Sequence, residues 1–252
     1  MELDFLIKYL LNERGEDSSY VDSLSLEEKE KLYRGLVNIR EPKEISNEYL
    51  KAEDKYLKSK LINVTDSSFI KCLDGTNIAF WLGDITKLKV DAIVNAGNSG
   101  GTGCYLPNHN CIDNQINTFA GVRLRLACNE IMKKLRFNLE TGKAIISKGY
   151  NLPCKYVIET VGPIFEGILN NKIKEELSLC YINSLKLAVK NNIRSIAFPC
   201  ISTGVFGFPK KDASIIAINT VKEFLKDNDK IDKVIFSLYS KEDLDIYESN
   251  FK

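Results

Sequence analysis

The stretch from Val94 to Gly121, VNAGNSGGTGCYLPNHNCIDNQINTFAG, constrains this chain more than any other. A short apolar run, Ala92-Ile93-Val94, reaches Asn95 and gives way to a glycine-rich loop, after which a helical pattern begins. Strand, loop and helix in that order form the unit of open α/β sheets, which bind ligands in loops at the carboxyl ends of their strands. The loop carries the chain's only histidine, His109, between Cys104 and Cys111. Its neighbours Gly100, Gly101, Gly103, Pro107, Asn108 and Asn110 are turn formers, so the triplet belongs on a surface loop rather than in a core. Cys-x4-His-x-Cys spacing predicts that Cys104, His109 and Cys111 hold one Zn2+, a metal suited to thiolate and imidazole. Structural zinc sites close with four protein ligands, whereas catalytic sites keep a position open. The next cysteine, Cys128, falls inside the following helical pattern, which leaves three ligands and an open position. The alternative is a distant fourth ligand that closes a structural site.

The rest of the chain reads as α/β. From Met1 to about Lys60 the pattern is helical: Leu3, Leu6, Tyr9 and Leu10 form one stripe, Ser25 and Ser46 are suited to cap second and third helices, and Pro42 separates those two. From about Ile62 strands and helices alternate. Expected strands are Phe69 to Leu73 and Asn77 to Trp81 around an Asp74-Gly75 turn, then Ala92 onward, Ala144 to Ser147, Tyr156 to Thr160, Ser195 to Pro199 and Lys233 to Leu238. Expected helices are Asp113 to Leu135, Lys172 to Lys190 and Lys211 to Leu225. The organisation expected is a helical extension over 1–61 and one α/β domain over 62–252.

Composition narrows the partners. With 35 basic and 34 acidic residues the net charge is +1, which offers no basic field for nucleic acid or an anionic membrane surface. No apolar run approaches the roughly 20 residues that span a bilayer. Seven cysteines, an odd number mostly within apolar patterns, fit a reducing cytoplasm better than a disulfide framework.

A second loop also carries chemistry. Ala197 to Ile201 ends a strand, and Ser202-Thr203-Gly204-Val205-Phe206-Gly207 precedes the next helix. Small residues let backbone N–H groups approach an anion, and Phe206 offers a flat face to a sugar or base. Neither GxGxxG nor GxxxxGK[ST] occurs in the chain.

Taken together, GDITKLKVDAIVNAGNS, CIDNQINTFAG, YVIETVGP and FPCISTGVFGFP resemble the macrodomain family, in the family's order. The cysteine–histidine insertion and helical extension are similar to its zinc-containing microbial branch, which is associated with removing ADP-ribose from modified proteins. The resemblance implies a three-layer α/β/α macrodomain with a mixed, mostly parallel central sheet. It implies that Asp84, with Ile85 beside it, binds adenine, that Asn95 and Asn98 bind the distal ribose, and that Asp113 lies near that sugar. Ser202, Thr203, Gly204, Val205 and Phe206 would cradle the diphosphate, with Phe206 against the distal ribose. Three positions depart from the family pattern: Gly97 replaces an alanine, and Asn117 and Glu159 stand where histidines are common.

The function expected is zinc-dependent hydrolysis of mono-ADP-ribose from protein side chains in the cytoplasm, with Asn98 and Asp113 as the catalytic pair. The partners are ADP-ribose and mono-ADP-ribosylated protein, without membrane or nucleic acid. An ADP-ribose reader whose zinc stiffens a loop, or an O-acetyl-ADP-ribose deacetylase, would need the same pocket.

Overall fold

A computed structural model describes residues 2–251. Three helices come first: α1 (Glu2–Glu13), α2 (Leu26–Ile39) and α3 (Asn47–Ser59). Ser25 and Ser46 cap α2 and α3 as their positions predict, Ser25 in a reciprocal box with Glu28. Their apolar stripes form one cluster with Phe119 and Val122 of the following domain, so this helical extension is seated on that domain. Among the described residues no helix is long and apolar enough to cross a membrane.

The central sheet has six strands: β2 (Ile78–Leu82), β4 (Ala92–Gly97), β5 (Ala144–Lys148), β6 (Tyr156–Val161), β7 (Ser195–Phe198) and β8 (Lys233–Leu238). A two-residue ladder, β1 (Thr65–Asp66) with β3 (Leu88–Lys89), lies apart from it. Strand order is β2-β8-β7-β4-β6-β5, parallel throughout except for β5 against β6. Alternation along the strands fills two cores. Val94, Ile158, Phe198 and Phe236 face α6 (Asn171–Lys190), α7 (Lys210–Lys226) and α8 (Lys241–Asn250). Ile93, Val157, Ala197 and Ile235 face α4 (Ile112–Ala120) and α5 (Val122–Lys134). Helices thus cover both faces of a mixed, mostly parallel sheet. The chain leaves β4 toward one face and β7, its neighbour, toward the other. Such a divergence is the switch point at whose carboxyl ends open α/β sheets take ligands.

Two local expectations are corrected, and one helix is new. Phe69 to Leu73 is not a strand: Asp66 accepts the Ser68 N–H and winds Ser67–Phe69 into a 3-10 turn, and Leu73 then makes a single bond to Ile78 rather than a ladder. The long helix expected from Asp113 to Leu135 is two helices. Gly121 takes a left-handed φ of 85° between them, and the carboxylate of Glu53 accepts the Val122 N–H that opens α5. Finally, α8 forms over a segment whose pattern had not been assigned. Ser240 caps it reciprocally with Asp243, and Tyr247 anchors it in the core.

Candidate active site

The loop between β4 and α4 gathers its three metal-binding side chains. The ligand atoms of Cys104, His109 and Cys111 all lie within 4.8 Å of one another, and Cys104 Sγ is 3.6 Å from His109 Nδ1. Tetrahedral zinc with ordinary Zn–S and Zn–N bonds imposes a sulfur–nitrogen separation of about 3.6 Å. Two thiols and one imidazole at this spacing fit zinc, and the described residues bring no fourth Cys, His or carboxylate into the cluster. Cys111 is also the N-cap of α4, its Sγ accepting the Asn114 N–H at 3.4 Å. Burial pushes the Cys111 thiol up to about 11, which that N–H opposes.

Beneath the loop lies a buried polar junction. Asn95 lies within β4 beside Glu159 of β6, its parallel register partner. The Asn95 amide nitrogen donates to Asp113 Oδ1 at 2.8 Å and to Glu159 Oε2 at 2.7 Å. Asp113, in the first turn of α4, also accepts from Asn117 Nδ2 at 2.9 Å on Oδ1 and from Asn98 Nδ2 at 3.4 Å on Oδ2. Asn98 Nδ2 further reaches the Gly103 carbonyl, and its Oδ1 accepts the Gly100 N–H, so this side chain shapes the metal loop. Burial pushes the Asp113 carboxyl up to about 6 and Glu159 well above the carboxylate range. Asp113 has three amide donors and Glu159 one, so the negative charge rests on Asp113 and the proton on Glu159. The resemblance implies contact between Asn95 and the ribose, but Asn95 is fully buried and its nitrogen is committed to the two carboxyls.

The remaining expected residues line the same edge of the sheet. Asp84 is exposed after β2, with Oδ1 accepting from both the Thr86 N–H and hydroxyl, and Oδ2 without a protein donor among the described residues. Ile85 is buried in the core under α4. In the second loop Ser202 is buried with φ 66°, while Gly204 and Val205 are exposed. Phe208 and Gly207 donate back to Ser202 and Gly204, and Phe165 donates to the Phe206 carbonyl, so the loop is braced from both sides. Among the described residues, no protein acceptor takes the backbone N–H groups of Ser202, Gly204, Val205 and Phe206. A cradle of free N–H groups suits an anion. Gly162 makes this approach possible: a Cβ there would stand 2.0 Å from Ser202 Oγ.

Two features escaped the sequence reading. Tyr239 is an exposed ring immediately after β8, beside the Gly83–Leu238 bond and hence near Asp84. An aromatic residue just past an apolar strand was the available signal. Arg34 of α2 reaches the metal loop across 75 residues of sequence, and nothing local announces that.

Comparison with known proteins agrees with this geometry. The macro domain model matches residues 94–217. A protein-ADP-ribose hydrolase of Staphylococcus aureus (strain MRSA252) is 45% identical over 251 residues, 99% of this chain and 94% of that protein. This chain belongs to the macrodomain family. A second protein-ADP-ribose hydrolase, from Treponema medium, is 44% identical over 248 residues, 96% of this chain and 95% of its own. Among solved structures, the Oceanobacillus iheyensis macrodomain with ADP superposes with a TM-score of 0.65 at 35% identity, covering 72% of this chain and 93% of that one. The Trypanosoma brucei macrodomain in complex with ADP gives a TM-score of 0.68 at 28% identity, covering 88% and 96%.

Within this macrodomain the three departures from the family pattern converge on Asp113. Asn117 supplies it a donor, and Glu159 shares Asn95 with it. Gly97 leaves room for that arrangement, because a Cβ there would press on Glu159 Oε2 at 3.2 Å.

Proposed function

We propose that this macrodomain is a zinc-dependent hydrolase that removes mono-ADP-ribose from modified protein side chains, with residues 1–61 as its helical extension and 62–252 as the macrodomain proper. The observation that carries the reading is the three-ligand Cys104–His109–Cys111 cluster standing on the same loop as Asn98, next to Asp113. Relatives named as protein-ADP-ribose hydrolases and matching nearly end to end support it.

In this reading ADP-ribose lies along the carboxyl edge of the sheet. Asp84 Oδ2 accepts from the adenine amino group with the Ile85 backbone beside it, and Tyr239 offers the base a flat face. The N–H groups of Ser202 to Phe206, with Thr203 and Val205 between, hold the diphosphate, and Phe206 packs against the distal ribose. Asn98 binds that ribose and aims its anomeric carbon at the metal loop. Asn95 acts one layer down, where it orients Asp113. Cys104, His109 and Cys111 would hold Zn2+, which would supply a Lewis acid for a water or a sugar hydroxyl. In this reading Asp113 Oδ2 takes a proton from the attacking water, which its one long hydrogen bond against two short ones on Oδ1 supports. Seven free cysteines, two of them in the ligand set, support work in the reducing cytoplasm.

The test is release of ADP-ribose from a mono-ADP-ribosylated protein, with metal content measured on the same sample. Turnover with about one zinc per chain, lost on chelation and restored by zinc, is expected. Cys104→Ser and His109→Ala proteins that turned over as fast as the parent would end the zinc-dependent reading. Binding of ADP-ribose without turnover on several linkage types would make the chain a reader.

A further inference from the structure

The helical extension reaches the metal loop through one face of α2. Arg34 and Asn38, four residues apart, project on the same side of that helix. Arg34 Nη2 donates to the His109 carbonyl at 2.7 Å and to Asn114 Oδ1 at 2.8 Å, and its Nε also reaches Asn114 Oδ1 at 3.1 Å. Asn114 is fully buried and passes the contact on: its Nδ2 donates to the Leu106 carbonyl at 2.9 Å, and its backbone N–H reaches Cys111 Sγ. One turn along, Asn38 Oδ1 accepts the Asn108 N–H at 3.0 Å while its Nδ2 donates to Thr118 of α4. Residues 106, 108, 109 and 111 are therefore all tied to α2 directly or through Asn114.

A second arginine secures the near end of the loop. Arg125 of α5 donates to the carbonyls of Thr102 and Cys104 and, on its other side, to those of Val37, Asn38 and Arg40 at the end of α2. Its guanidinium also lies over the Tyr105 ring at 4.1 Å. A loop with glycines at 100, 101 and 103 has little stiffness of its own. The stiffness comes from α2 and α5, which fix the loop's backbone rather than the ligand atoms.

We infer that α2 is part of the metal centre, with Arg34 as a positioning residue that acts through Asn114 and the His109 carbonyl to hold Cys104, His109 and Cys111 at zinc-binding spacing. This inference rests on the triplet binding zinc. Arg34 touches no ligand atom, so it sets how tightly and how long the metal is held rather than supplying a bond to it. Its planar fork meets two acceptors at once, which a lysine cannot reproduce.

The experiment is zinc affinity and zinc release measured on the full chain by competition with a chromophoric chelator, for the parent protein, Arg34→Gln, Arg34→Lys, Asn114→Ala and, as a control at an exposed position one turn before Arg34 on α2, Lys31→Gln. Outer contacts to metal ligands are worth about ten- to a hundredfold in metal affinity. Arg34→Gln and Asn114→Ala are expected to bind zinc at least about tenfold more weakly and release it faster, Arg34→Lys to recover part of the loss, and Lys31→Gln to match the parent. The urea midpoint of the metal-free Arg34→Gln protein is expected to stay near that of the metal-free parent, which separates positioning from general stability. Parent-like affinity and release in Arg34→Gln would overturn the role of α2. A parent chain that holds no zinc would instead overturn the metal reading beneath it.

Discussion

Glu53→Gln is expected to remove a pH dependence of stability that the fold builds into the seam between the extension and the macrodomain. Glu53 is buried on α3, with Oε1 facing the hydroxyls of Tyr33 and Tyr49 and Oε2 accepting the Val122 N–H. Burial raises its carboxyl from 4.5 to about 7, although three hydrogen bonds pull the other way. A carboxyl raised in the fold favours the protonated form there. The stability it contributes is fully present below pH 4.5, declines as pH rises, and is gone above about 7. That interval corresponds to ~3 kcal/mol, at a slope of at most ~1.4 kcal/mol per pH unit. Glutamine imitates the protonated acid: its oxygen accepts from Val122 while its NH2 donates to a tyrosine oxygen, which accepts as readily as it donates. Urea unfolding of metal-free parent and variant should therefore agree near pH 4.5 and diverge toward pH 8, where the variant is the more stable by ~3 kcal/mol. A difference between the two proteins that stayed constant from pH 4.5 to 8 would refute the reasoning.

Gly162→Ala would set a Cβ 2.0 Å from Ser202 Oγ and 2.8 Å from the Ile201 side chain, so the second loop must shift. With overpacking worth about 1–3 kcal/mol, ADP-ribose affinity by calorimetry should fall about tenfold, and unchanged affinity would remove that loop from the site. Asp84→Asn keeps an acceptor for Thr86 but replaces a charged acceptor with a neutral amide; ADP-ribose should bind about tenfold more weakly while zinc content stays at the parent level. Gly121→Ala puts a side chain at φ 85° and 2.5 Å from Glu53 Oε2. A loss of about 2 kcal/mol or more in urea unfolding is expected, and a loss within ~0.5 kcal/mol would mean the α4–α5 break is not tight.

Features written in local spacing were legible before any coordinates. The alternation of strand and helix patterns set the α/β class, Ser25 and Ser46 set the helix starts, and Cys-x4-His-x-Cys set the metal cluster. Features that depend on long-range partners were hidden. Nothing between Asp113 and Leu135 reveals that Gly121 turns left-handed, because the group that fixes the turn is Glu53, 68 positions earlier. The family resemblance implies that Asn95 faces the distal ribose, and nothing in its local sequence shows its burial. The parallel register of β4 with β6 sets Glu159 beside it and α4 brings Asp113 over it, and together they bury it. Tyr239 was missed because a single aromatic after a strand carries no spacing, and only the β2–β8 pairing brings it to Asp84.

The buried junction also predicts which of its two carboxyls the reaction needs as a charge. Asp113 and Glu159 share one amide hydrogen-bond donor, Asn95, and both are buried, so that two adjacent carboxylates there repel. One proton relieves that repulsion. Asn117 and Asn98 favour charge on Asp113, whereas Glu159 Oε1 is buried with no partner among the described residues, an arrangement a proton on Glu159 disturbs least. Glu159→Gln keeps the acceptor for Asn95 and leaves a neutral group where a neutral group already stands, so it should keep ADP-ribose binding and turnover within about threefold of the parent. Asp113→Asn removes the charge and sets an amide donor against amide donors; turnover should fall at least about a hundredfold, the usual worth of a positioned base, while zinc content persists. Loss of turnover in Glu159→Gln with retention in Asp113→Asn would reverse the assignment and make Glu159 the ionised partner.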